Sequence, residues 1–475
     1  MKMFRSILSI FLGLAFTALK GFSQEPWSLE KCVRFALENN IQIKQQQLNS
    51  EYAGNNLFQS KMSLLPTINA SAAQSKSFGR ALDQTTYTFT QNQTITSLST
   101  SVNANLVVFN GLQKINMIRQ SRFDLMASLQ QLEKLKNDLA LNVAAAYLQI
   151  LFNTELLNSA RQQAEVTRQQ VERTAKLVDA GSLPLGNLLE IQAQQAAEEV
   201  QIVNYQNQLD ISYLTLAQLL ELKDIEGFRI EIPDFSDFQF KEMLDPIAEI
   251  YQDALRNLPQ IKIAEYQLKS SEAGLSVARG GRSPRLFISA SYGTGYSDIR
   301  QRIIGTSPQT IPIGVTQGGE LVYSQIEQPL YDTYPLKMQL KDNASTTLTF
   351  GISVPLFNGW SVNTQVSNAQ LNVQNARYNL DLSKNLLLKD IQQAHADALA
   401  AVKKYLASEK SLTAQIESFK YVQQKYEVGL VTTVDFNIAK TALARAESEL
   451  LQAKYDYLFR INILNFYRGN PLTVK

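Results

Sequence analysis

The sequence predicts a mixed α and β membrane protein, internally duplicated, in which long helical hairpins alternate with strands. Three observations predict it. The stretch from Leu112 to Val178 contains neither proline nor glycine; at ~1.5 Å per residue it would form a rod roughly 100 Å long, far beyond the ~10–14 residues of an ordinary helix. A second stretch of the same kind starts at Gly359. Segments that alternate with a period of two precede both rods, each with an apolar side.

At the N-terminus, Lys2 and Arg5, the apolar run Ile7–Leu19 and the small-residue site Gly21-Phe22-Ser23 read as a secretory signal peptide over 1–23. The apolar run is shorter than the ~20 residues a membrane helix needs. No later run looks long and apolar enough to span, so a mature chain that enters a membrane does so through strands. Charge is balanced, 45 Lys+Arg against 43 Asp+Glu. With no basic block, nucleic acid is excluded as the expected partner. Cys32 is the one cysteine, so no internal disulfide forms, and it reads as a half-buried helix residue.

The first repeat covers 24–245. A helix is expected over 28–62, with Trp27, Leu29, Val33, Phe35, Ala36 and Leu37 as its apolar face and Pro66 as its stop. Strands follow over about 66–77 and 97–109, separated by a Thr- and Gln-rich segment, about Ser77 to Thr96, that reads as loop. In the second strand Leu98, Val102, Leu106 and Val108 alternate with Ser99, Ser101, Asn103 and Asn105, which fits a wall between lipid and water. The hairpin 112–221 turns at Ala180-Gly181-Ser182-Leu183-Pro184. The connector 222–245 carries Phe228, Phe235, Phe238 and Phe240.

The second repeat covers 246–475: a helix over 247–280, strands over about 285–296 and 346–357, and a hairpin over 359–467. Gln42-Ile43-Lys44 returns as Gln260-Ile261-Lys262, and Phe109-Asn110-Gly111 as Phe357-Asn358-Gly359. The turn glycines Gly181 and Gly429 keep the spacing of that second pair, so the rising helix has the same length in both copies. The extra length of the second copy falls in about 297–345, which holds Pro308, Pro312, Pro329 and Pro335 and reads as a long loop. After it, Leu348, Phe350, Ile352 and Val354 share one side of a strand.

Four strands cannot close a barrel around a channel, since single-chain barrels start at eight. An open sheet in lipid leaves backbone groups unpaired at several kcal/mol each. Three copies supply twelve strands, so a homotrimer is expected. The helices, rich in Gln, Asn and Ala, fit a wall that is wet on its inner and outer sides.

The order helix, strand, strand, long hairpin, repeated, with Phe-Asn-Gly at the strand-to-helix junctions, resembles the TolC family of outer-membrane efflux proteins. Its most specific piece is Tyr426-Glu427-Val428-Gly429-Leu430-Val431-Thr432-Thr433-Val434-Asp435, similar to the family's second hairpin tip. The resemblance implies a trimeric conduit in the outer membrane of a Gram-negative bacterium. A twelve-stranded transmembrane β-barrel would continue as an α-barrel of helices across the periplasm. It also implies a periplasmic adaptor and an inner-membrane transporter of RND, ABC or MFS type as partners.

The resemblance further implies site residues. Tyr426 and Asp435 match gate positions, while Val431 and Ile438 replace a linking arginine and a second aspartate, and Gly186 and Asn187 replace link partners in the first hairpin. The tips Gly181, Ser182, Leu183 and Gly429, Leu430, Val431 would meet the adaptor. Plainer readings stand beside these. Thr432 three residues before Asp435 resembles a capping box, Tyr426 can be a packing aromatic, the glycines can end helices, and Pro184 fits an early helical position. No cofactor is expected, and no enzyme: His395 sits in mid-helix, and metal-ligand clusters and phosphate-binding loops are absent from the sequence. Transport powered by a partner is the leading function, with a secreted coiled-coil scaffold as the alternative.

Overall fold

The computed structural model describes residues 26–82, 89–233 and 244–470. The signal-peptide reading of 1–23 and Phe235, Phe238 and Phe240 lie outside the described residues. In chain order the elements are α1 (Leu29–Asn39), α2 (Ile41–Met62), β1 (Thr67–Leu82), β2 (Phe89–Asn110), α3 (Gln113–Asp179) and α4 (Leu185–Leu219). The second copy gives α5 (Ile247–Asn257), α6 (Pro259–Gly280), β3 (Arg285–Ser297), β4 (Gln301–Val315), β5 (Leu321–Thr333), α7 (Leu336–Asp342), β6 (Ser345–Ser353), α8 (Ser361–Glu427) and α9 (Thr433–Tyr467). The rising helices α3 and α8 are both 67 residues long, and the descending α4 and α9 both 35.

Several expectations need correction. The helices expected over 28–62 and 247–280 are each two helices. Asn40 breaks the first, its Oδ1 accepting the N–H groups of Gln42 and Ile43 at 2.9 and 3.2 Å. Leu258 breaks the second because Pro259 forces the residue before it out of the helical region. The segment expected to be loop from Ser77 to Thr96 is largely strand, paired from Lys76↔Thr96 through Gly79↔Gln93. A segment polar at both odd and even positions has no apolar alternation to give it away, and threonine favours strands. The long loop expected over 297–345 is the β4–β5 hairpin followed by α7. Its prolines suggested breaks, yet a two-stranded ribbon has only outer edges, where proline is tolerated. The strand expected over 346–357 ends at Ser353, so Val354 lies just beyond it.

The chain divides into two units, one from Met1–Gly54, Phe123–Lys269 and Gln374–Lys475, the other from Asn55–Arg122 and Ser270–Val373. The first unit is helical. Its larger core joins Cys32, Ala36 and Ile43 to Val143, Tyr147 and Leu151 of α3, Leu216 of α4 and Tyr457 and Leu458 of α9. A smaller one joins Ile250, Ala254 and Ile261 to Leu387, Ile391 and Leu464. Cys32, expected to be half-buried, is fully buried, and burial pushes its thiol up to about 12. α3 also holds a stretch of mean hydropathy 1.2, half of it buried, so the expectation of no span-like run needs qualifying. The buried residues Val143, Ala144, Tyr147, Leu148, Ile150 and Leu151 of this helix serve the core. Trp27 pairs in parallel with Ile230 of the connector and packs edge-on against Phe35 and Phe228.

The second unit holds an antiparallel sheet in the order β1-β2-β3-β6, so the two repeats meet at β2 and β3. The register lines up side chains across all four strands. Ala70, Val102 and Tyr292 stand opposite one another, as do Leu106, Ile288 and Phe350. On the other face Ser71 and Ser101 are hydrogen-bonded at 2.9 Å, and Ser75 and Ser97 at 2.7 Å. Expected lipid-facing residues Val102, Leu348, Phe350 and Ile352 are exposed, and so is Val354; Leu98 and Leu106 are partly covered. Leaving β2, the chain turns at Gly111, whose added Cβ would lie 2.4 Å from the Gly280 carbonyl oxygen.

The matched glycines of the two junctions make a test. Gly111 and Gly359 have φ of +65° and +62°, but a Cβ at Gly359 would meet nothing within 4 Å. Gly359→Ala is therefore expected to cost only the strain of the left-handed backbone, about 1–2 kcal/mol. Gly111→Ala adds a backbone clash and is expected to cost roughly 3 kcal/mol or more. Thermal unfolding of the two variants in detergent measures the difference.

Candidate functional site

Both hairpin tips are built the same way. At the end of α3 the Gly181 N–H donates to the Val178 carbonyl at 2.9 Å and Ser182 N–H to Leu177 at 2.8 Å. At the end of α8 Gly429 donates to Tyr426 at 3.1 Å and Leu430 to Lys425 at 2.8 Å. These paired bonds close a helix when the residue after the cap is left-handed, and Gly181 and Gly429 have φ of +73° and +79°. A Cβ at either glycine would meet nothing, so the backbone angle alone calls for glycine. The turns leave Gly181, Ser182, Gly429 and Leu430 exposed, with Leu183 and Val431 half-buried.

The descending helices start differently. Pro184 is the N-cap of α4 and not an early helical residue, and it provides no side-chain cap. α9 starts with a full capping box. Asp435 N–H donates to Thr432 Oγ1 at 3.1 Å, and Asp435 Oδ2 accepts the Thr432 N–H at 3.3 Å and its hydroxyl at 2.7 Å. Asp435 is exposed, and Tyr426 stacks on the buried Phe436 with ring centroids 4.6 Å apart. Tyr426 thus joins α8 to α9 inside one hairpin.

A contact between the two hairpins falls on a residue singled out from the sequence. Asn187 Nδ2 donates to Thr433 Oγ1 at 3.3 Å. Gly186 and Ile438 are exposed and Val431 is half-buried.

A buried ionic contact between the hairpins lies outside the residues singled out from the sequence. Lys440, only 4 % exposed, donates to the Gln163 carbonyl at 2.8 Å, to Thr167 Oγ1 and to Glu198 Oε1 at 3.1 Å. Thr167 Oγ1 in turn donates to the other carboxylate oxygen of Glu198. Burial pushes Lys440 below the ordinary lysine range, and the Glu198 carboxylate pulls it back. Seven residues on, Glu447 Oε2 accepts from Ser159 Oγ at 3.3 Å and Gln163 Nε2 at 3.2 Å. Another seven residues on, Lys454 is likewise lowered by burial and opposed by Glu155. Thr433, Lys440, Glu447 and Lys454 therefore form one seam of α9 at heptad spacing, facing the first hairpin. The signal was present in the sequence as that spacing.

The tips also expose apolar side chains that the sequence reading passed over: Leu185 and Leu189 on α4, Val428 before the second turn and Val434 on α9. Among the described residues no group of His, Cys, Asp and Glu could hold a metal ion.

Comparison with known proteins places this architecture. The family model described as "Outer membrane efflux protein" matches residues 33–221 and 250–470, both repeats. Outer membrane protein TolC of Escherichia coli is 22% identical over 97% of this chain and 85% of its own length. Alkaline protease secretion protein AprF of Pseudomonas aeruginosa is 23% identical over 70% of this chain and 61% of its own length. The crystal structure of CusC superposes with a TM-score of 0.76 at 17% identity, covering 93% of this chain and 92% of that one. The chain belongs to the outer membrane efflux protein family and is a protein of the outer membrane.

Proposed function

We propose that three copies of this chain close a twelve-stranded barrel in the outer membrane and continue it as a helical tunnel into the periplasm, the exit duct of an efflux or secretion system. The observation that carries this reading is the sheet. Its apolar residues lie in register on one face across four strands, and β1 and β6 are its open edges. β1 leads away from α2 and β6 leads back toward α8, so β6 of one copy beside β1 of the next is antiparallel, as the rest of the sheet is. Closure pairs backbone groups that lipid could not satisfy. The scaffold alternative gains nothing from such a face. Fractionation and mass measurement test the duct: a detergent-requiring trimer in the outer membrane is expected, and a soluble protein, or a stable monomer or dimer, would overturn the reading.

Energy comes from a partner. The exposed tips, with Leu185, Leu189, Val428 and Leu430 as apolar contacts, are the face for a periplasmic adaptor that couples the duct to an inner-membrane transporter of RND, ABC or MFS type. In the same purification, after cross-linking, an adaptor is expected with the trimer and should be lost in Leu430→Asp. Cargo is exported solutes or polypeptides; AprF is a protease secretion protein by name.

The mouth is gated at Asp435. Three carboxylates around one axis would draw cations and repel anions. Asn keeps an oxygen that can accept the Thr432 N–H, so Asp435→Asn removes the charge without removing the cap. Divalent cations on the periplasmic side are expected to lower single-channel conductance, and Asp435→Asn to relieve that block. Equal block in both proteins would reduce Asp435 to a helix-start residue.

The Lys440 cluster holds the second hairpin against the first near this mouth. Removing one partner of a buried ion pair costs about 3–5 kcal/mol because the other charge is stranded. Glu198→Ala is therefore expected to speed amide hydrogen exchange around Lys440 and Thr167 by roughly two to four orders of magnitude. Lys440→Met leaves the Glu198 carboxylate without its cation but still accepting from Thr167 and Gln194, at a less buried position, and should do less. If Glu198→Ala leaves exchange unchanged, the pair does not hold the hairpins together.

A further inference from the structure

The polar face of the sheet carries two side chains that a plain wall does not need. From the row Thr67↔Asn105↔Ser289↔Thr349 to the row Ser75↔Ser97↔Ser297, that face holds only Ser, Thr, Asn, Gly and Ala. The four strands β1, β2, β3 and β6 contain no Asp or Glu. Asp298 lies just past the end of β3 that is far from the helices, where it accepts the Thr96 N–H at 2.9 Å. Toward the helices the pattern changes. The next row on the polar face is Val107↔Phe287↔Gly351, and beyond it stands Asn110↔Arg285↔Ser353.

Phe287 does not stand off the sheet. A Cβ added at Gly351 would meet the tip of the Phe287 ring, with Cε1 and Cε2 at 2.5 and 2.8 Å. The half-buried ring therefore leans across to β6 and covers the Gly351 backbone; glycine in a strand marks such a close approach. Two residues away along β3, about 7 Å at the rise of a strand, Arg285 projects from the same face and is exposed. Lys114 Nζ donates to the Val107 carbonyl at 3.5 Å and to that of Ser63, which brings a second cation to this row. An aromatic surface beside a guanidinium, on strands without carboxylates, complements a planar ring that carries a negative charge. Ring packs against ring, and the anion meets a flat, permanently charged donor.

We propose that Phe287 and Arg285 form a contact station for aromatic anions, a carboxylate or sulfonate on a planar ring being the class that fits. This rests on the reading of the sheet as the wall of a duct and names a class of cargo for it. Three copies would present three such pairs at one level of the lumen. The small neutral side chains beyond the station offer no second charge to hold the anion, so a solute that leaves Phe287 passes on, as conduction requires.

Single channels of the full chain in planar bilayers test the station. Naphthalenesulfonate is added on the outer side, so that the probe reaches the sheet without crossing the mouth at Asp435. Concentration-dependent block is expected, at about tenfold lower concentration than for propanesulfonate, which has the charge without the ring. Phe287→Leu keeps an apolar cover for Gly351 but removes the ring, and is expected to weaken block by naphthalenesulfonate roughly threefold or more. Arg285→Gln is expected to weaken block by both sulfonates. Equal block by the two probes, or unchanged block in either variant, overturns the station. If Phe287→Leu yields no channels, the pair of probes on the natural protein and Arg285→Gln still decide. Conductance without a preference for the aromatic anion overturns the station alone and leaves the duct; no conductance from the natural protein overturns the duct reading and the station with it.

Discussion

Every backbone N–H and C=O that enters hydrocarbon must find a partner within protein. In the proposed duct that constraint falls on a sheet of four strands with β1 and β6 at its edges. Alternation along the strands supplies an apolar face, and the pairing of β2 with β3 makes the face continuous across the two repeats. Strand direction then decides how a neighbour can be added. The serine pairs on the opposite face, Ser71 with Ser101 and Ser75 with Ser97, use hydrogen bonds in place of packing.

The helical unit answers a different demand. Apolar packing in its larger core reaches Leu157 on α3, Leu209 on α4 and Tyr455 on α9. Toward the tips, the contacts between hairpins become polar: Glu447 to Ser159, Lys440 to Glu198, Asn187 to Thr433. Hydrophobic contact is non-directional and tolerates sliding, whereas a buried lysine with three acceptors has one arrangement that satisfies it. The tip end of the seam is thus more specific than the core end, and more easily undone by water once opened.

Much of this was legible in the sequence. Proline-free length gave the rods, and Leu98–Val108 gave a strand with a lipid-like face. The glycine turns were readable because glycine at a left-handed position has a backbone cause. What stayed hidden had no one-dimensional signature. The ribbon ends of β1 and β2 lack apolar alternation, and the prolines of β4 and β5 look like breaks until their edge position is known. Asn40 ends a helix by turning its own side chain onto the next two N–H groups. At the tips, Asp435 and Tyr426 were found by resemblance, and the structure puts one in a capping box and the other on Phe436. Lys440 was missed because a lysine in a helix is ordinarily a solvated one, and only its burial against α3 and α4 marks it out.

The equal lengths of α3 and α8, 67 residues each, carry a consequence for how such a chain can change. One residue inserted into an α-helix turns everything beyond it by about 100° and shifts it ~1.5 Å. Placed between the core and Thr167, such an insertion would swing Gln163 and Thr167 away from Lys440 while the core stayed in place. Compensation would need a matching insertion in α4, α8 and α9 at the same height. Length in the rods is therefore locked to whole heptads made in concert. The ribbons beyond the sheet and the connector between the repeats carry no such lock, and the 15-residue β4, which has no counterpart in the first copy, lies in one of those ribbons.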